Sequence, residues 1–332
     1  MDEVILRDLR ENYGLQPTEI APVDGGWMNK KWKIKTPEGV FLVKQFSRER
    51  FNERQLGQIE DALTRQMILY GAGVPCPRIF PCGGRPIRRT ADGTVYMVMD
   101  FAPGYTVTPE TVTETQLCSL GEAAARMHDA FAHLPTEGIR RYPENGAALL
   151  DQLQRTHSAR REALHDGSPD AYRRAIMTQE AILRTLSAEY PDALPRAIAH
   201  EDFSPDNMLF TESGISAILD FDRNQYSYPL HDIGRVLLSL CLHHGTLCGE
   251  RIDAFCRGYA EHRPLSAEDL ADALRITWCI ETIWWIREDF FTGGKAKIIR
   301  FRDEILWVGE HWHELREAVS GEKTKEIRHI FG

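Results

Sequence analysis

The sequence has no Cys-x-x-Cys pair, no apolar run of membrane-spanning length, no excess of positive charge and no repeat or low-complexity segment. Each absence narrows the field. Seven cysteines (Cys76, Cys82, Cys118, Cys241, Cys248, Cys256, Cys279) are an odd number without paired spacing, which argues against a disulfide framework. The nearest approach to a zinc set, Cys241 and Cys248 with His243 and His244, lacks the short ligand clips of zinc sites. Such usage fits free thiols in a reducing cytoplasm, the expected location. The longest apolar runs, such as residues 236–242 broken only by Ser239, fall far short of the ~20 residues that span a bilayer. Residues 1–12 carry seven polar or charged side chains, so no secretory leader is expected. Forty Lys and Arg stand against 49 Asp and Glu, a formal net charge of −9. With no field to attract a polyanion, neither nucleic acid nor an anionic membrane is an expected partner.

What is present is an ordinary globular composition of 332 residues, 42% hydrophobic and 27% charged, long enough for two domains. Val4, Ile5, Leu6, Leu9 and Tyr13 recur at helical spacing until Gly14. Trp32, Ile34 and Thr36 then alternate with Lys31, Lys33 and Lys35, and the turn Pro37-Glu38-Gly39 leads to a second strand over 40–46. Residues 52–70 read as a helix ending at Gly71, and 73–77 as a loop. Strands return on either side of Ala91-Asp92-Gly93-Thr94. After Ala102-Pro103-Gly104 the pattern turns helical, with capping-box spacing at Thr113 and Gln116. Further helices are expected over 146–165, 171–190, 231–243, 252–262, 267–291 and 301–319, with short strands at 197–199 and 215–219. The expected fold class is α+β in two lobes: residues 1–102 on a small antiparallel β-sheet, and residues 103–332 larger and mainly helical.

Chemistry concentrates in His200-Glu201-Asp202-Phe203-Ser204-Pro205-Asp206-Asn207 and in Asp220-Phe221-Asp222. A carboxylate and a carboxamide stand five residues apart in a loop, and another carboxylate ends the next strand. Phosphoryl transfer from a magnesium nucleotide needs these types: one carboxylate to orient a hydroxyl and take its proton, and hard oxygens to hold the metal.

In these motifs the sequence resembles the aminoglycoside phosphotransferase and choline kinase superfamily, which shares the bilobal fold of protein kinases. Residues 25–34 (GGWMNKKWKI) resemble its nucleotide-loop strand, Phe41 to Gln45 its lysine strand and His200 to Leu209 its catalytic loop. Asp220-Phe221-Asp222 resembles its metal-binding turn and Pro229 to Ile233 the helix start that follows. The resemblance implies ATP and Mg²⁺ as cofactors and a nucleotide-binding lobe over 1–102. Lys44 would pair with the α- and β-phosphates, and the backbone around Gly25 and Gly26 would approach the triphosphate. Asp202 would orient the substrate hydroxyl and take its proton, with His200 bracing the loop and Asp232 hydrogen-bonded to it. Asn207 and Asp220 would bind Mg²⁺, and Met99, Asp100 and Phe101, with Ala102, would form a hinge that reads adenine. The helix glutamate that orients the lysine is poorly matched: its position falls on Ala62, and Glu60 or Asp61, with Glu60 preferred, would take the role.

Lys44 taken alone is a strand lysine of the solvated kind, yet its face also carries Val40, Leu42 and Phe46. Asp222 is open between metal, substrate and turn capping. Five of seven tryptophans, Trp278, Trp284, Trp285, Trp307 and Trp312, fall in the last sixty residues. They read as core, or as aromatic faces that with Glu281, Glu288 and Asp289 would hold a cationic substrate. The arginines at 155, 160, 161, 173 and 174 read as a solvated helical face. Residues 258–266 (GYAEHRPLS) resemble a stretch of homoserine kinase-like members. The reading is an ATP-dependent kinase for a hydroxyl of a small, amine-bearing molecule: an amino alcohol, homoserine or an aminoglycoside. The alternatives are a protein Ser/Thr kinase of the same fold and a catalytically silent binding or structural relative.

Overall fold

The structure, a computed structural model, describes residues 1–23 and 29–320. They form two compact units, the first comprising Met1–Tyr105, Asn207–Thr211 and Ile215–Asn224, the second the remainder.

The first unit begins with α1 (Glu3–Tyr13), β1 (Glu19–Pro22), β2 (Lys30–Thr36), β3 (Gly39–Phe46), α2 (Glu53–Gly71), β4 (Arg88–Arg89) and β5 (Val95–Asp100). The strands make an antiparallel sheet in the order β1-β2-β3-β5-β4. Alternation sends Trp32, Ile34, Phe41, Val43, Tyr96 and Val98 to one face, where Ile5 and Leu9 of α1 cover them. Phe46, Met97 and Met99 face the other way and pack with Leu56, Ile59 and Leu63 of α2. Full burial of one such side chain contributes about 1.5–3 kcal/mol. Gly14 stops α1 in the left-handed region at φ 68, which costs a glycine nothing. Asn52 and Gln55 close a capping box that starts α2. Strand β1 was not expected, because its four residues are all exposed and carry no alternation.

The chain continues through α3 (Glu114–Ala132), α4 (Gly146–Glu162), α5 (Asp170–Leu183), α6 (Glu189–Ala193) and β6 (Ala197–Ala199). It then forms the hairpin β7 (Met208–Thr211) and β8 (Gly214–Ile218), followed by β9 (Gln225–Ser227) and α7 (Pro229–Val236). The last elements are β10 (Leu242–His243), β11 (Thr246–Leu247), α8 (Gly249–Tyr259), α9 (Ala267–Trp285), α10 (Asp289–Thr292), α11 (Ala296–Glu310) and α12 (Leu315–Ser320). The hairpin packs with the first unit, where a single cut at residue 102 had put it with the second. Ile218 N–H donates to Pro75 C=O at 2.7 Å, and Tyr105 pairs with Phe210.

The box at Thr113 and Gln116 caps α3, and Ser266 with Asp269 caps α9. Several helices are shorter than their periodicity. Helix α9 stops at Trp285 rather than Phe291, since Arg160 donates to the Thr282 and Ile283 carbonyls, both at 2.8 Å. Arg160 is buried, so it does not belong to a solvated face. The helix expected over 231–243 gives way to a wider turn at Leu237–Cys241 and a tight β10–β11 hairpin, where His244 and Gly245 take positive φ. The helix expected over 301–319 starts earlier and divides into α11 and α12.

Trp278 and Trp312 meet in the core with ring centroids 5.1 Å apart and planes tilted by 59°, and Trp307 is buried, whereas Trp284 is exposed. All seven cysteines are free, and no group of three or more His, Cys, Asp or Glu side chains placed to hold a metal ion occurs among the described residues.

Helices α3 and α8 cross with reciprocal glycines. A Cβ on Gly258 would lie 1.8 Å from Cys118 O, and one on Gly121 would lie 2.1 Å from Phe255 O. Gly258→Ala is therefore expected to cost at least about 1–3 kcal/mol in denaturant unfolding. Gly57→Ala, in open space on α2, is expected to add about 0.5–1 kcal/mol.

Candidate active site

Lys44, in the middle of β3, is 2% exposed. A buried ammonium needs anionic partners, and two carboxylates meet it: Asp220 Oδ1 at 2.5 Å and Asp222 Oδ2 at 2.8 Å. Burial works against the charge, but Asp222 and Asp220 outweigh it and hold the pKa of Lys44 above the usual lysine range. Asp220 also lies 3.6 Å from Lys31 of β2. Its backbone is left-handed, φ 60 and ψ 50, at the head of a short 3₁₀ turn, Phe221–Arg223. For a residue other than glycine that costs of order 1–3 kcal/mol, and it aims the two aspartates at one lysine. Asn207 is tied to the same place, since its C=O accepts from Leu219 N–H at 2.8 Å. Carboxylate and carboxamide oxygens of Asp220, Asp222 and Asn207 are the hard donors that suit a divalent ion of the Mg²⁺ kind.

Glu60 does not pair with Lys44. Arg85 takes both of its carboxylate oxygens in a two-pronged ion pair, which satisfies Glu60. What joins α2 to the turn after Asp220 is instead Arg65. Its Nε donates to Asn224 Oδ1 at 2.6 Å and its Nη2 to Asn224 O at 3.2 Å, while Asn224 Nδ2 donates to Ala62 O at 2.9 Å. Neither residue carried a signal in the sequence, because 159 positions separate them.

Met99 is buried in β5 opposite Leu42. Asp100 N–H donates to Arg78 O and Phe101 N–H to Val40 O, so these two donors of the expected hinge are already engaged. An open pocket of about 340 Å³ beside it is lined by Val40, Asp100, Phe101, Ala102 and Ser216 among others. Gly25 and Gly26 lie outside the described residues.

In the second unit, fully buried Asp232 organises the loop that carries Asp202. It accepts the backbone N–H of His200 at 2.7 Å and of Glu201 at 3.0 Å. Despite the opposing effect of burial, the hydrogen bond from His128 and the nearby histidine charges keep the carboxyl of Asp232 below its usual range. Tyr259 O–H meets His128 Nδ1 at 2.8 Å and His128 Nε2 meets Asp232 at 3.1 Å, so the stretch beginning at Gly258 supports this loop from behind. His200 Nδ1 accepts from Asp202 N–H at 3.3 Å, and Glu201 takes φ 68. Asp206 pairs with Lys297 at 2.9 Å and Arg300 at 3.2 Å. Burial raises its pKa, and these cations more than reverse that.

Beyond the loop lies a buried ionic cluster that sequence patterns did not reveal. Glu281 accepts from Trp285 at 2.8 Å, His231 at 3.1 Å and Arg235 at 3.0 Å, and Arg235 continues to Glu304 at 2.6 Å. Glu201 faces His231 on the other side at 3.5 Å. Glu288 meets His165 and Asp289 meets Arg287. All three acids expected around a cationic substrate therefore have side-chain partners of their own within the chain.

The model of the phosphotransferase enzyme family known as APH matches residues 19–265. The homoserine kinase of Acidiphilium cryptum is 28% identical over 248 residues, 74% of this chain and 72% of that protein. The homoserine kinase of Brucella anthropi is 28% identical over 281 residues, 83% of this chain and 80% of that protein. A solved amicoumacin kinase, in complex with AMP-PNP and Ca²⁺, covers 95% of this chain and 94% of its own at 15% identity and a TM-score of 0.65. The GDP complex of aminoglycoside 2′-phosphotransferase-IIIa covers 95% of this chain and 97% of its own at 15% identity and a TM-score of 0.60. The fold is thus the bilobal α+β fold of protein kinases and their relatives.

Burial disfavours charge on His231, but Glu201 and Glu281 raise its pKa from 6.5 to about 10. A raised pKa stabilises the folded state fully below the unfolded value and loses that contribution as pH climbs through the folded one. Tm is therefore expected to fall from pH 6.5 to 10, measured by thermal scans. His231→Gln is expected to flatten that slope, and an unchanged slope would contradict the assignment.

Proposed function

The chain belongs to the phosphotransferase enzyme family, and on that premise we propose that it transfers the γ-phosphoryl group of ATP, with Mg²⁺, to the hydroxyl of a small amine-bearing molecule of the homoserine or amino-alcohol kind. Kinase-type phosphoryl transfer comes with the family; the nucleotide, the metal and the acceptor are the proposal. The observation that carries it is the convergence of buried Lys44 with Asp220 and Asp222, next to Asn207.

In this reading Lys44 gives its ammonium to the α- and β-phosphates, and Asp220, Asn207 and Asp222 offer oxygens to the metal. When bound, the divalent ion supplies positive charge against the phosphates. Asp202 accepts the proton of the acceptor hydroxyl as that oxygen bonds to the γ-phosphorus. The bond from the γ-phosphorus to the bridging oxygen breaks, and ADP leaves with that electron pair. Asp232 and His200 act as positioning residues, since they hold the loop backbone on either side of Glu201. The homoserine kinases support a hydroxyl amino acid as acceptor, and the aminoglycoside and amicoumacin kinases support amine-bearing alcohols more broadly. No helix among the described residues is long and apolar enough to cross a membrane. Seven free thiols support a cytoplasmic location.

Purified chain with MgATP is expected to release ADP on addition of homoserine, screened beside choline, ethanolamine, aminoglycosides and a Ser/Thr peptide. Release with peptide alone would favour a protein kinase, and no release with any of them would overturn the reading. Asp202→Asn is expected to lower kcat by about 10²–10⁴-fold, the worth of a general base, while ATP affinity stays within about threefold.

A further inference from the structure

Strands β2, β3 and β5 are in a register that sets the Lys44 face of the sheet in rows. Lys31 stands opposite Lys44, which stands opposite Met97; Lys33 stands opposite Leu42, which stands opposite Met99. Directly opposed residues share a face, so Lys31 and Lys44 project side by side. Like charges in that position are ordinarily destabilising. Here one carboxylate serves both: Asp220 Oδ1 lies 2.5 Å from Lys44 and its Oδ2 3.6 Å from Lys31. The side chain of Lys31 is 17% exposed, within reach of solvent, while that of Lys44 is 2% exposed. The neighbouring row differs in character, since Lys33 lies 4.3 Å over the ring of Phe101. Lys35, further along the same face, is spent on an exposed pair with Glu19.

We propose that Lys31 is a second phosphate-binding lysine, which shares the polyphosphate of the nucleotide with Lys44. This rests on the reading of the site as a nucleotide phosphotransferase and gives a role to a residue of the nucleotide-loop strand that the motifs left without one. Two ammoniums and two carboxylates now balance. Where Asp220 and Asp222 give their oxygens to a divalent ion, Lys31 and Lys44 lose partners at the same time. Neither can be left uncompensated on a half-buried face without a desolvation cost. A polyphosphate is the ligand whose charge and several oxygens match two adjacent ammoniums. Affinity should then depend on the number of phosphates, because a nucleoside monophosphate cannot satisfy both lysines.

The test is nucleotide affinity of the full chain, measured calorimetrically with ATP, ADP and AMP in the presence of Mg²⁺, with Tm recorded for each variant. Lys31→Gln is expected to weaken ATP about tenfold, ADP less and AMP not at all, with Tm near wild type. Lys31→Arg is expected to hold ATP within about twofold, and Lys35→Gln, on the same strand and face, to leave all three unchanged. If wild type binds ATP and Lys31→Gln binds it equally well, or loses ATP and AMP alike, the role given to Lys31 is wrong while the nucleotide reading stands. If wild type binds no nucleotide, both fall.

Discussion

An ammonium buried in a β-sheet must be neutralised where it lies, and that requirement at Lys44 governs much of the first unit. Its two carboxylates come from positions 176 and 178 residues further along the chain. To bring them there, the β7–β8 hairpin leaves its sequence neighbours and packs with the N-terminal sheet through Pro75 and Tyr105. Asp220 accepts a left-handed backbone, and Arg65 and Asn224 clip the following turn to α2. Removing one member of such a group leaves the others charged and buried, which is far costlier than never building it. The same arrangement is chemically useful, because partners that neutralise a lysine in one state can bind a metal in another.

The second unit solves a comparable problem differently. Its loop is held by backbone donors to Asp232, and that carboxylate is in turn supported by His128 and Tyr259. The close α3–α8 crossing, possible because Gly121 and Gly258 carry no side chain, joins the helices that carry His128 and Tyr259. A packing constraint between two glycines thus connects to the geometry of residues 200–202. Around it, Glu281 and Arg235 form a group in which every charge has an opposite partner.

Features carried by local spacing were legible in the sequence: the β2–β3 hairpin, the capping box of α3, and motifs whose residues meet around Lys44. Those decided by tertiary competition were not. Glu60 was chosen by its distance from Val74-Pro75, but Arg85 on a separate stretch reaches it first. The tryptophans near Glu281 were open between core and a cage for an external cation, and His231 and Arg235, some fifty positions away, already occupy the oxygens of Glu281. The helix end at 285 depended on a distant arginine rather than on periodicity. The lysines of β2 were visible as an alternating stripe, but only the strand register shows that Lys31 stands beside Lys44.

The central claim is that Asp220 exchanges its lysine partners for a divalent ion when nucleotide binds. Its most direct measurement is the Mg²⁺ dependence of ATP affinity in wild type and in Asp220→Asn. The account predicts that Mg²⁺ strengthens ATP binding to wild type and adds little to Asp220→Asn, while a folded variant keeps metal-free affinity. Equal Mg²⁺ dependence in the two proteins would contradict it.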